Sequence, residues 1–148
     1  MFKDIYELIK KYENIVIARH IGVDPDALGA SFSLRNSILL TFPNKKVHLA
    51  GTGSSRFNYF GKLEKPEKVQ ENTLLIVVDT PDIRRIDGIE DIKLFSDVIK
   101  MDHHPFIESF GGIEYIDDTA SSASQIILEF INDNKKPITE EILYFELS

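Results

Sequence analysis

Three groups of acids and histidines stand out in the chain: His20, Asp24 and Asp26; Asp79; and Asp102, His103 and His104. Carboxylates and neutral imidazoles form a hard-to-borderline oxygen and nitrogen donor set, suited to Mn²⁺, Mg²⁺, Zn²⁺ or Fe²⁺ rather than to a soft metal. Asp24 and Asp26 flank Pro25, whose ring holds φ near about −65° and stiffens the segment. Alternate positions in an extended loop aim two carboxylates at two ions, and a single acid such as Asp79 at a strand end then bridges them. Two divalent ions roughly 3.5–4 Å apart make a phosphoryl-hydrolysis site, with an activated water and a neutralised phosphate. Three carboxylates leave two such ions with a small net positive charge, so the pocket attracts phosphate whatever the charge of the whole protein.

These residues need elements that carry them to one place. Phe2, Ile5, Leu8, Ile9 and Tyr12 recur at helical spacing, so residues 2–12 are predicted to form an amphipathic helix. Residues 14–19 (NIVIAR) read as a short buried strand, residues 27–40 as a helix stopped by Pro43, and residues 46–50 as a second strand. TLLIVVD at 73–79 is a continuous apolar run ending in an acid, the pattern of a strand buried on both faces. SDVIKMD at 96–102 repeats it, and residues 112–116 read as a fifth strand. Helices are expected at 121–132, with Ser121 and Ser122 as N-caps, and at 139–147. Strands alternating with helices predict an α/β domain: a Rossmann-like parallel sheet of about five strands with helices on both faces. All three chemical clusters then fall after strands, on the edge where open parallel sheets bind ligands.

Composition narrows the partners. The 148 residues carry 17 Lys and Arg against 24 Asp and Glu, a net charge of −7, which argues against unaided binding to duplex DNA or an anionic membrane. Without cysteine there is no disulfide framework, thiol nucleophile or thiolate metal site. No apolar run approaches about 18 residues, and the first residues carry Asp4, Glu7 and lysines. Neither a membrane span nor a signal peptide is expected, and a cytoplasmic location is.

His20-Ile-Gly-Val-Asp24-Pro-Asp26-Ala-Leu-Gly29-Ala30 resembles the first motif of the DHH phosphoesterase superfamily. Val78-Asp79-Thr80 resembles its second motif, Asp102-His103-His104-Pro105 the tripeptide that names it, and Ala120-Ser121-Ser122-Ala123 the helix start that follows. Order and spacing match over residues 14–134, and the chain is most similar to the nano-RNase branch. Its members degrade very short oligonucleotides and dephosphorylate 3′-phosphoadenosine 5′-phosphate.

The resemblance implies a metal-dependent phosphoesterase acting on a short oligonucleotide or nucleotide phosphate through metal-activated water. It implies two Mn²⁺ ions, with Mg²⁺ as the alternative. His20 and Asp24 hold one, Asp26 and His103 the other, and Asp79 bridges both. His104 faces the substrate phosphate, Asp102 orients a ligand from behind, and Arg85 stands where related proteins often carry a substrate-facing arginine. A DHH-type inorganic pyrophosphatase shares these motifs, and a non-catalytic metal- or nucleotide-binding module is the rival from another class.

The superfamily's further metal-binding Asp, on the next strand, and its second domain with a glycine-rich His motif have no counterpart here. The expectation is a catalytic domain cut before its last metal-ligand strand. Alone it should be slow or undetectable as a catalyst, and the apolar residues 142–147 should favour self-association or disorder there.

Simpler readings compete at single positions. Asp26 can cap the helix starting at Ala27, Asp79 can be a turn acid, and adjacent histidines are often a surface pair. His48 reads as structural. Gly51-Thr52-Gly53 lacks the rest of a phosphate loop, and Phe57, Tyr59 and Phe60 suit packing better than base stacking.

Overall fold

A computed structural model describes residues 2–22, 24–51, 72–89 and 91–133. The expected helix at 139–147 and the aromatic residues at 57–60 lie outside the described residues. Five strands form one sheet: β1 (Asn14–Ala18), β2 (Lys46–Leu49), β3 (Thr73–Val78), β4 (Asp97–Asp102) and β5 (Ile113–Ile116). Every pairing is parallel, in the order β2-β1-β3-β4-β5. The three α-helices are α1 (Phe2–Lys11), α2 (Pro25–Thr41) and α3 (Ala123–Asp133). No helix among the described residues is long and apolar enough to cross a membrane.

Side chains alternate across the strands and build two separate cores. Ile15, Ile17, Leu74, Ile76, Val78, Ile99 and Met101 meet the buried faces of all three helices. Val16, Ala18, Leu75 and Val77 point the other way, against Ile86 and Phe95. Being covered on both sides, β3 is buried at all six positions, which is why it reads as an unbroken apolar run. The amphipathic α1 buries Ile5 and Ile9, each worth about 1.5–3 kcal/mol relative to exposure.

The α/β class and parallel five-stranded sheet match the sequence expectation. Among the described residues all three α-helices share one face. The other is covered by the β3–β4 connection, which makes two 3₁₀ turns, Ile83–Arg85 and Ile92–Leu94, and packs Ile86 and Phe95 against the strands. Chain direction across the sheet reverses between β1 and β3, and such a reversal opens a crevice at the carboxyl ends of the strands.

Candidate metal centre

The chain leaves β1 through Arg19, whose buried guanidinium donates to the His20 carbonyl (3.0 Å) and pairs with Asp87 (3.3 Å). Burial pulls the Arg19 pKa down, and Asp87 opposes that pull. Asp87 N–H returns a bond to the Arg19 carbonyl (2.8 Å), and Ile21 N–H donates to the Arg85 carbonyl (2.6 Å). The loop carrying His20 is thereby stitched to the turn after β3.

His20 Nδ1 lies 2.8 Å from the Ile21 carbonyl, which can only accept, so Nδ1 carries the proton and Nε2 is left as the donor atom. That Nε2 stands 3.4 Å from Asp79 Oδ2 and 4.0 Å from Asp24 Oδ2. A lone pair facing a carboxylate calls for a proton or a cation between them. Accordingly the hydrogen bond with Asp79 is the largest influence raising the His20 pKa, with burial opposing it.

Asp24 and Asp26 do not share one extended loop. Asp24 is extended and N-caps α2: its Oδ1 accepts from Asp26 N–H (2.8 Å) and Ala27 N–H (3.2 Å), leaving Oδ2 toward His20. Pro25 occupies the first turn, where its missing N–H costs nothing. Asp26 is already helical and caps a different helix. Its two oxygens accept from Ala123 N–H and Ser124 N–H at the start of α3, each at 3.0 Å, while Oδ2 also lies 3.8 Å from His103 Nε2. The simpler reading of Asp26 as the cap of its own helix is therefore replaced by Asp24 in that role. Ser122 does cap α3, accepting from Gln125 N–H (3.1 Å).

Asp79 follows β3 with φ +54°, a left-handed conformation that Asp tolerates better than most residues. Its side chain is only 3% exposed. Oδ1 lies 3.0 Å from His103 Nε2 and 3.6 Å from His104 Nδ1, yet it is buried with no hydrogen-bond partner. A buried carboxylate oxygen without a partner is costly unless something positive completes it. Asp102, buried at the end of β4, accepts from His104 Nδ1 (2.7 Å), and so leaves His104 Nε2 free to point elsewhere.

Ligand atoms from His20, Asp24 and Asp79 fall within 4.8 Å of one another, and so do those from Asp79, His103 and His104. Asp79 belongs to both groups. The Nε2 of His20 aimed at two carboxylates, the orphaned Asp79 oxygen and the hard oxygen-rich donor set all fit divalent cations. The structure thus gathers His20, Asp24, Asp79, His103 and His104, holds Asp26 beside His103 through its cap, and sets Asp102 behind His104. Arg85 sits on the exposed 3₁₀ turn and touches the His20 loop through its carbonyl.

Two supporting residues are not apparent from the sequence: Arg19, and Lys100 in the middle of β4. Both are charged residues adjoining or interrupting apolar strand runs, and both are fully buried. That interruption is their one sequence signal.

Residues 14–147 match the DHH family, N-terminal domain. The chain is 37% identical over 141 residues to the probable bifunctional oligoribonuclease and PAP phosphatase NrnA of Streptococcus mutans, covering 95% of this chain and 45% of that protein. It is 30% identical over 137 residues to the bifunctional oligoribonuclease and PAP phosphatase NrnA of Bacillus subtilis, covering 92% and 44%. The chain thus spans less than half the length of these relatives. Among solved structures, an exopolyphosphatase-related protein from Bacteroides fragilis superposes with a TM-score of 0.68 at 22% identity, over 89% of this chain and 43% of that one.

Proposed function

This chain belongs to the DHH family as its N-terminal domain, and from that premise we propose that it carries the metal centre of a phosphoesterase acting on short oligonucleotides or nucleotide phosphates. The observation that carries the reading is the single Asp79 carboxylate shared by two His/Asp groups. In this reading His20 and Asp24 hold one Mn²⁺, Asp26 and His103 the other, and Asp79 bridges them. When bound, the ions supply Lewis acidity toward the phosphoryl group and lower the pKa of water.

The chain's own residues do the rest. The Ile21 carbonyl fixes the His20 tautomer and ring orientation, so the neutral imidazole presents its Nε2 lone pair to a cation. Asp102 holds a proton on His104 Nδ1, which leaves Nε2 to face a phosphate oxygen and, when protonated, to donate to it. The side chain of Arg85 is assigned to the substrate phosphate on its place beside the His20 loop. The substrate class follows the names of the Streptococcus and Bacillus relatives, which describe proteins more than twice as long.

The test is turnover by residues 1–148 in Mn²⁺, with a ribodinucleotide, adenosine 3′,5′-bisphosphate and pyrophosphate as substrates. Release of nucleoside monophosphate or of phosphate from the first two is expected, together with two ions per chain by calorimetry. Turnover of pyrophosphate alone points to an inorganic pyrophosphatase, and fewer than two ions without turnover points to a binding module.

A further inference from the structure

Five large apolar side chains stand in solvent on the loops that follow the site-bearing strands: Ile21 after β1, Ile83 and Leu94 after β3, and Phe106 and Ile107 after β4. Single exposed apolar residues are ordinary on a protein surface. These are gathered on three loops bonded to one another. Ile21 N–H donates to the Arg85 carbonyl, and Ile83 N–H to the Glu108 carboxylate. The Lys100 ammonium donates to the carbonyls of Pro81 (2.9 Å) and Glu108 (2.8 Å).

Lys100 does more than tie loops. Its Nζ lies over the rings of Phe106 and Phe110, at 5.6 and 4.7 Å from their centroids. Lys100 is wholly buried, so the ammonium takes the inner face of Phe106, whereas Phe106 is 61% exposed. The open area is therefore on the other face. An aromatic ring propped outward from beneath by a fixed cation, on a loop pinned at Glu108, is preorganised to receive a flat partner. Phe106 follows His104 by two residues, a reach of at most about 7 Å along the chain.

We propose that Phe106 is a stacking platform for the nucleobase of a nucleotide whose phosphate lies at the His/Asp centre, an assignment that rests on the phosphoesterase reading above. Every base has a π-face, so the platform selects nucleotides over inorganic phosphates without reading sequence. Lys100 is the positioning residue beneath it.

The full chain loaded with Mn²⁺ tests this by calorimetric binding of adenosine 5′-monophosphate and of inorganic phosphate. Phe106→Ala should weaken the nucleotide about 5- to 150-fold, the range for removing one base-stacking aromatic, while phosphate and Mn²⁺ binding stay as in the parent protein. Phe106→Tyr should restore nucleotide binding. Unchanged nucleotide affinity in Phe106→Ala, or an equal loss for both ligands, overturns the platform and leaves the metal-centre reading standing. If the parent protein binds neither ligand in Mn²⁺, the phosphoesterase reading itself falls and the platform with it.

Discussion

Asp26 and Ser124 lie 98 positions apart in the chain, yet the Asp26 carboxylate accepts the Ser124 N–H at 3.0 Å, and the neighbouring Ala123 N–H at the same distance. One acid thus closes the start of α3, where the helix dipole favours negative charge, and stands beside His103. Structural and chemical duties meet in a single side chain.

Two substitutions separate those duties. Ser122→Ala removes only a local cap of α3 and should cost about 1 kcal/mol with unchanged Mn²⁺ binding. Asp26→Ala should cost at least as much and also weaken one of two ions. Thermal melts without metal, paired with calorimetric titrations, make the comparison. Equal metal binding by the two variants would reduce Asp26 to a cap.

The backbone around the His20 loop is packed closely enough to be tested with glycines. A Cβ on Gly88, at φ +80°, would lie 2.7 Å from the Gly51 backbone nitrogen, whereas one on Gly22, at φ +96°, meets nothing within 4 Å. Gly22→Ala should cost only the backbone penalty, about 1–2 kcal/mol. Gly88→Ala adds overpacking of about 1–3 kcal/mol against an atom that cannot swing away. Denaturant melts giving the two variants equal stability would refute the tight approach.

Legibility follows the sheet. Strands buried on both faces read as apolar runs, so the chain itself marks Asp79 and the Asp102–His104 group as lying at strand ends. Contacts between distant segments leave no such mark. Nothing near Asp26 in sequence announces the start of α3, and Pro25 suggests a stiff loop where it begins a helix. Arg19 and Lys100 are inconspicuous because their partners, Asp87 and the Pro81 and Glu108 carbonyls, come from other segments. How the β3–β4 connection packs on the second face of the sheet, through Ile86 and Phe95, is likewise something periodicity does not encode.

Tyr12 gives a pH test away from the centre. Its hydroxyl donates to Asp97 at the start of β4, and that bond is the first cause raising its pKa above the ordinary value of about 10. The folded state therefore keeps this proton longer than the unfolded state. The contribution is complete below about pH 10 and is lost as pH rises through the folded value. Tyr12→Phe should cost about 1 kcal/mol at neutral pH and flatten the alkaline decline. Urea melts at pH 7 and above pH 10 check both; an unchanged alkaline slope would show that another group is responsible.

Asp79 offers the sharpest separation of stability from function. Its buried Oδ1 faces His103 without a hydrogen bond, so the metal-free fold carries a carboxylate whose charge is incompletely answered. Asp79→Asn keeps a residue type that tolerates φ +54°, removes the charge, and gives the site an amide that can donate to a neighbour. Without metal it should be as stable as the parent or more so, while losing both ions. Asp79→Ala should also lose both, but incur a left-handed backbone penalty of about 1–2 kcal/mol. Asp24→Ala, whose carboxylate faces only the His20 side, should weaken a single ion and cost about 1 kcal/mol for the lost α2 cap. Parallel Mn²⁺ titrations and metal-free melts distinguish the three. If Asp79→Asn retained one tight ion, Asp79 would belong to one side of the centre only, and the two ions would have to be held together by other acids.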